Sequence, residues 1–289
     1  MFNRGEGMSY ILKLRSKPNV LTDARNISPD KFVNKKLDEI RNLKIIEGGL
    51  PITLDTLFDI DGPSVAPQET KNMEITINNS NDKLCFIGYK MSNGRIIIRG
   101  DVGHFIGYKM KGGNITIYGN VRNYLGAKMV NGNIEVHGNV MHRVGSKLHG
   151  ERPGKGMKGG TIHIHGNAGA EIGWGMKGGT IVVDGSSGNL VGTDMLGGTV
   201  IIKGSSGVYP GLRMIGGRIV IGGHIPSILP SFYIDSLVSS LKVKGVVFFK
   251  PFATFIGDVL VGGRGFLQIS YEDNKHIMDT YKQLVEETI

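Results

Sequence analysis

The chain has a single cysteine, Cys85, in 289 residues. That excludes an intrachain disulfide and removes the thiolate sets that hold iron–sulfur clusters or structural zinc. Aromatic residues make up 7% of the composition and are scarce in the strands identified below, which leaves no stacking platform for nucleic-acid bases. No apolar run approaches the roughly 18 residues of a membrane span, and the stretch Met1 to Met8 lacks the apolar core of a secretory leader. These absences point to a cytoplasmic protein with no membrane or nucleic-acid partner. The net charge of +9 comes from Lys and Arg scattered over turns rather than gathered in a run, which fits solubility or an acidic ligand better than a nucleic-acid backbone. Catalytic constellations are thin. Glycine strings such as Gly154-Lys155-Gly156 follow no strand-to-helix turn and carry no nucleotide fingerprint. The pairs Ser186-Ser187 and Ser205-Ser206 recur at equivalent positions in successive repeats and read as turn residues rather than nucleophiles.

Glycine, in contrast, is abundant at 45 copies, and it is ordered in a repeat. Seven copies of Gly-x-x-Met-x-(Gly/Asn)-Gly-x-β-x-β-x-Gly, with β as Ile or Val, run from Gly88 to Gly223. The methionines Met91, Met110, Met129, Met157, Met176, Met195 and Met214 mark them at intervals of 19 residues, with one interval of 28. The longer interval is a nine-residue insertion, Leu148 to Gly156. After each double glycine the residues alternate, as in Asn114 to Tyr118, which is the period of a strand. Ile96 and Ile98 in the first copy, and their equivalents through Ile219 and Ile221 in the seventh, point inward together. Burying each contributes about 1.5–3 kcal/mol before entropy is counted. A fixed period near 20 residues marks units that cannot bury their own apolar face and must stack. The fold class expected is therefore all-β: a single-stranded parallel β-helix solenoid, right-handed, of seven or more 19-residue coils with mixed α/β caps. The double glycines suit corners of positive φ, with Asn93 and Asn131 standing in.

The ends break the period. Residues 1–72 form an expected N-terminal cap, with a strand at Tyr10 to Leu14, a helix from Ser28-Pro29 to about Asn42 and an extended stretch from Pro51 to Gly62. The β-helix occupies 73–224, beginning with a partial coil at Glu74 to Asn78. Residues 225–289 supply strands near Gly245–Phe249 and Phe266–Ser270, then a helix from about Asn274 presenting Ile277, Met278, Tyr281, Leu284 and Val285 on one face.

Three outward features carry candidate chemistry. Neighbouring coils place Glu135 beside His163 and His137 beside His165. Side chains standing parallel at about 4.8 Å between coils make a tetrahedral cage hard to close, so no metal is expected there. Val182, Ile201 and Val220 form a β-branched strip that needs a cover, either the chain's own terminal segment or another protein. The insertion is the one loop leaving the column, and its Arg152 and Lys155 suit an anion.

The stretch Ile106 to Gly119 and its copies resemble the GXGXG β-helix domain shared by the C-terminal part of glutamate synthase large chains and by the C subunit of formylmethanofuran dehydrogenase. The resemblance covers roughly residues 75–225, and the length, the insertion and the long N-terminal segment make it more similar to the second. It implies membership of an archaeal cytoplasmic complex of methanogenesis, an oxidoreductase that reduces carbon dioxide to formate and condenses it with methanofuran. The resemblance further implies that the tungsten or molybdenum pterin, the iron–sulfur clusters and a dinuclear metal site belong to partner subunits. No cofactor or catalytic residue is then expected on this chain. Its role would be a scaffold bridging the amidohydrolase-like and formate-dehydrogenase-like subunits, with Val182, Ile201 and Val220 facing a partner and Arg152 and Lys155 near the acidic tail of methanofuran. Two alternatives stand beside it: a stand-alone glutamate synthase-like GXGXG protein, and a polysaccharide-acting β-helix enzyme.

Overall fold

The structure, a computed structural model, describes residues 8–279. Strand β1 (Met8–Leu14) opens it, with Tyr10 and Leu12 fully buried. There follow β2 (Thr22–Asp23), helices α1 (Pro29–Phe32) and α2 (Leu37–Arg41), strands β3 (Lys44–Glu47) and β4 (Leu50–Thr53), helix α3 (Leu54–Leu57) and β5 (Phe58–Asp61). The single helix expected from Ser28 to about Asn42 is two short ones. Between them Asn34 adopts a φ of 60°, and the backbone of Asn34 and Lys35 bonds instead to Pro67 and Ala66. The extended reading of Pro51 to Gly62 is likewise interrupted by α3, because Leu54 and Leu57, three apart, bury together on one helical turn.

The repeats then give β6 (Met73–Ser80), β7 (Leu84–Cys85), β8 (Arg95–Gly100), β9 (Asn114–Ile117), β10 (Asn133–Val136), β11 (Thr161–Ile164), β12 (Thr180–Val183), β13 (Thr199–Ile202) and β14 (Arg218–Ile221). From β8 to β14, each pairs in parallel with the equivalent strand of the next repeat, so that Ile96, Ile115, Ile134, Ile162, Ile181, Val200 and Ile219 form one register line. All seven are at most 1% exposed. A slip by one residue would turn the whole line outward, so the apolar pattern itself fixes the register. The insertion leaves it unchanged, since β10 and β11 pair Asn133 with Thr161 as any other neighbours do. Outside the named strands, Val102, Val121, Val140, Ala168 and Ser187 form a second line of parallel bridges. The methionines of the repeat are fully buried, and these lines share one continuous core.

The ladder runs further than the repeat pattern. β1 lies in parallel on β6, matching Tyr10 to Ile75 and Leu12 to Ile77. After β14 come β15 (Tyr233–Val238), β16 (Leu241–Val243), β17 (Val246–Phe248), β18 (Phe252–Gly257) and β19 (Gly265–Ser270). β19 pairs in parallel with β14, β18 and β15 add antiparallel strands, and β5 closes the other end antiparallel to β1. The result is a mostly parallel sheet of 13 strands, with few helices. The last helix of the described residues begins at Lys275 and buries Ile277 and Met278; Tyr281, Leu284 and Val285 lie outside the described residues.

Side chains knit the corners. Asn120 Oδ1 accepts from Asn139 N, Asn139 Oδ1 from Asn167 N, Asn167 Oδ1 from Ser186 N, and Ser186 Oγ from Ser205 N. The serines thus continue an asparagine ladder and act as corner acceptors. The corner glycines divide the work differently from expectation. Gly113 adopts a φ of +83°, whereas a Cβ on Gly112 would stand 2.3 Å from Ser92 O. Asn93 and Asn131 replace only the first glycine of a pair, and neither takes a positive φ. Positive φ appears instead at bulky residues, among them Phe86, Phe105, Tyr124 and Arg143. Such residues rarely adopt it. Bonds to the next repeat hold them, as Phe105 N donates to Asn123 O and Tyr124 N to His142 O.

Candidate functional site

The insertion is a fastened loop rather than a free one. Glu151 accepts from Leu148 N at 2.9 Å and pairs with Lys128, while Lys147 Nζ donates to Glu151 O. Lys147 is itself buried and forms an ion pair with Asp194 at 3.3 Å. Asp194 also accepts from Trp174 Nε1 at 2.9 Å and from Arg213 Nε at 2.8 Å. Burial works to raise the Asp194 carboxyl, and the bonds from Trp174, Arg213 and Lys147 outweigh it, so the group stays below the usual carboxylate range. Lys147 Nζ further sits 4.4 Å from the centre of the Trp174 ring. From this base the loop holds Arg152 and Lys155 out as exposed cations, with no ion-pair partner for either among the described residues.

A second feature is a ladder of polar side chains on the outer face of β10 to β12. Tyr118 stacks on His137 with centroids 4.6 Å apart and planes at 3°, and His137 stacks on His165 at 4.8 Å. His165 uses both ring nitrogens on carboxylates: Nε2 lies 2.9 Å from Glu135 Oε1 and Nδ1 lies 3.0 Å from Asp184 Oδ2. His163 Nε2 reaches the same Asp184 oxygen at 3.0 Å, and Lys203 Nζ stands 2.7 Å from Oδ1. The bond to Glu135 raises the His165 pKa, and the reciprocal bond lowers Glu135. Asp184 is held at about 2: burial pushes it up, and Lys203 and His163 pull it down further. The adjacency of Glu135 with His163 and of His137 with His165 is as the spacing indicates. Asp184 and Lys203 are the members missed, although they occupy the next two places, 19 residues apart, in the column of His137 and His165.

The third feature corrects the expectation that the chain has no aromatic platform. The aromatics lie at corners, not on strands. Phe86 and Phe105 stack at 4.8 Å and 7°, and Phe105 and Tyr124 at 4.6 Å and 8°. Arg25 covers the free face of Phe86 at 5.2 Å and Arg143 that of Tyr124 at 5.3 Å. The ring faces are therefore occupied within the chain, and their edges border a groove of about 330 Å³ with Leu21, Ile46 and Cys85. Burial raises the Cys85 thiol and lowers His104, which keeps both neutral.

The apolar strip is not where a partner can touch it. Val182, Ile201 and Val220 are 8%, 0% and 0% exposed, and they form a second apolar cluster with Leu241, Val243 and Phe252. The chain's own segment covers them because β16, β17 and β18 bring apolar side chains over the three consecutive outward positions of β12, β13 and β14 that are apolar. Of the two covers the sequence left open, the intrachain one is realised, and these three residues are corrected from partner interface to core. Among the described residues, no helix is long and apolar enough to cross a membrane.

No family model matches the chain. It is 38% identical over 93 residues to the C subunit of the tungsten-containing formylmethanofuran dehydrogenase 2 of Methanothermobacter wolfeii, covering 32% of this chain and 33% of that one. It is 38% identical over 96 residues to the C subunit of the molybdenum-containing formylmethanofuran dehydrogenase 1 of Methanothermobacter marburgensis, covering 33% of this chain and 23% of that one. The chain thus spans a third or less of the length of these curated relatives. Its fold matches a chain in the crystal structure of the formyltransferase/hydrolase complex (FhcABCD) from Methylorubrum extorquens in complex with methylofuran, with a TM-score of 0.75, 24% identity, and coverage of 90% of this chain and 99% of that one. Over about a third of its length, the chain is thus similar in sequence to C subunits of tungsten- and molybdenum-containing formylmethanofuran dehydrogenases.

Proposed function

We propose that the chain is the non-catalytic scaffolding member of a formylmethanofuran dehydrogenase complex, which reduces carbon dioxide and transfers the formyl group to methanofuran. The observation that carries this reading is the 38% identity to the C subunits of two such enzymes. In this reading the repeats wind as a right-handed parallel β-helix whose corner ladders make it stiff. It bridges the amidohydrolase-like and formate-dehydrogenase-like subunits, and those partners hold the tungsten or molybdenum pterin, the iron–sulfur clusters and the dinuclear metal site. A partner meets the outside of the C-terminal cover rather than the strip beneath it, where Phe249 at 91% and Leu260 at 85% exposure are available to it. The complex works in the cytoplasm.

The test is to purify the tagged chain from its native host and identify what accompanies it. Amidohydrolase-like and formate-dehydrogenase-like chains in fixed ratio are expected; a stable lone monomer would sink the reading. Arg152 and Lys155, on their fastened loop, meet the acidic tail of methanofuran. Reversing both charges, Arg152→Glu with Lys155→Glu, then raises the KM for methanofuran about tenfold or more in an intact complex. An unchanged KM would remove that contact and leave the scaffold role standing.

A further inference from the structure

The outer face of β10, β11 and β12 carries a donor set suited to a metal ion, independent of the scaffold reading. His163 Nε2 and His165 Nδ1 each lie 3.0 Å from one atom, Oδ2 of Asp184. The three donor atoms all fall within 4.8 Å of one another. Bonds of about 2.0–2.1 Å to a tetrahedral ion put neighbouring donors about 3.3 Å apart, so the two histidine–aspartate separations need shifts of a few tenths of an ångström, and the histidine–histidine separation, within 4.8 Å, closes by about 1.5 Å at most. The rings of His163 and His165 are tilted by 47°, which lets their in-plane lone pairs converge. His137 differs: its ligand nitrogen also lies within 4.8 Å of those of Glu135 and His165, but its ring is stacked nearly parallel on His165 at 19°, and Glu135 is already bonded to His165 Nε2.

The surroundings match the way metal-binding imidazoles are held. His165 presents its other nitrogen, Nε2, to Glu135 Oε1 at 2.9 Å, an outer carboxylate that fixes ring and tautomer. Lys203 Nζ stays on the second oxygen of Asp184 at 2.7 Å and keeps Oδ2 turned to the histidines. All the residues sit on, or directly after, strands locked in register, so the donors are positioned by backbone and not by a loop. We propose that His163, His165 and Asp184 bind one divalent ion of the zinc class, with Glu135 as the positioning residue for His165 and the fourth position open to solvent.

The full chain, stripped with a chelator and titrated calorimetrically with Zn²⁺ alone, tests this. One ion per chain is expected. His163→Ala and Asp184→Asn should each weaken binding at least about tenfold, Glu135→Gln should weaken it about tenfold through its outer bond, and His137→Ala should leave it unchanged. Circular dichroism checks that each variant remains folded. Where one does not, cobalt substitution of the native chain supplies the answer, since a four-coordinate nitrogen and oxygen site absorbs strongly in the visible. Absence of stoichiometric uptake, a weak octahedral cobalt spectrum, or loss of binding in His137→Ala but not in Asp184→Asn would overturn the proposal.

Discussion

Lys147 and Asp194 form an ion pair at 3.3 Å with side chains only 6% and 3% exposed, placed where the insertion leaves the column. A pair so enclosed cannot lose one member without leaving the other charge stranded. Asp194→Ala is therefore expected to destabilise the chain by about 3–5 kcal/mol, since it also removes the acceptor for Trp174 and Arg213. In a protein of this size that is a Tm fall of roughly 10 °C, measurable by calorimetry. A loss under about 1 kcal/mol would mean that the network is not the anchor of the loop.

The histidine and carboxylate ladder predicts stability that falls on both sides of a plateau. Asp184, lowered to about 2 in the fold, contributes above its unfolded value near 4 and loses that contribution as pH drops toward 2. His165 is raised, so its contribution is complete below the unfolded value near 6.5 and disappears as pH climbs through the higher folded value. Urea midpoints measured with chelator present should peak between about pH 4 and 6.5. In Glu135→Gln, the alkaline arm should flatten.

The cover over the strip should be separable from the column. Phe252 is fully buried against Val182, Ile201 and Val220, and Phe252→Ala is expected to cost about 3–5 kcal/mol. Hydrogen exchange should show lost protection in β15 to β18 while β8 to β12 keep theirs. Uniform loss across the chain would contradict a separate second core.

Close stacking of repeats predicts intolerance to a single methyl. Gly119→Ala would place Cβ 2.3 Å from the backbone of Gly100 and 2.6 Å from Asp101 N, and backbone of a register-locked neighbour cannot swing aside as a flexible side chain would. A loss of about 1–3 kcal/mol or more is expected. Gly150→Ala, with nothing within 4 Å, suffers only the strain of its φ of +79° and should cost less in the same unfolding assay.

The inward Ile and Val lines were legible because two periods coincide: alternation along the strand, and 19 residues between strands. The places of β1 and β19 in the ladder were not, because neither strand follows the Met-x-Gly-Gly spacing of the repeat, and the pairing of Tyr10 with Ile75 spans a distance that no local pattern reports. The aromatic stack was hidden for a different reason. Phe86, Phe105 and Tyr124 lie in turns, and only the left-handed backbone there aligns their rings. For the strip, composition showed that Val182, Ile201 and Val220 needed a cover, while the choice of cover depended on how Leu241, Val243 and Phe252 fold back. Asp184 could have been found by continuing the His137 and His165 column one repeat further.

The nine extra residues between Met129 and Met157 leave the strand register of β10 and β11 untouched. Loop length at that one corner is thus uncoupled from the strand register. It is a natural port: a foreign peptide spliced between Arg152 and Lys155, beyond the anchor at Lys147 and Glu151, would be displayed at a set place along the parallel ladder, and chain growth during descent has a place to accumulate without shifting its register.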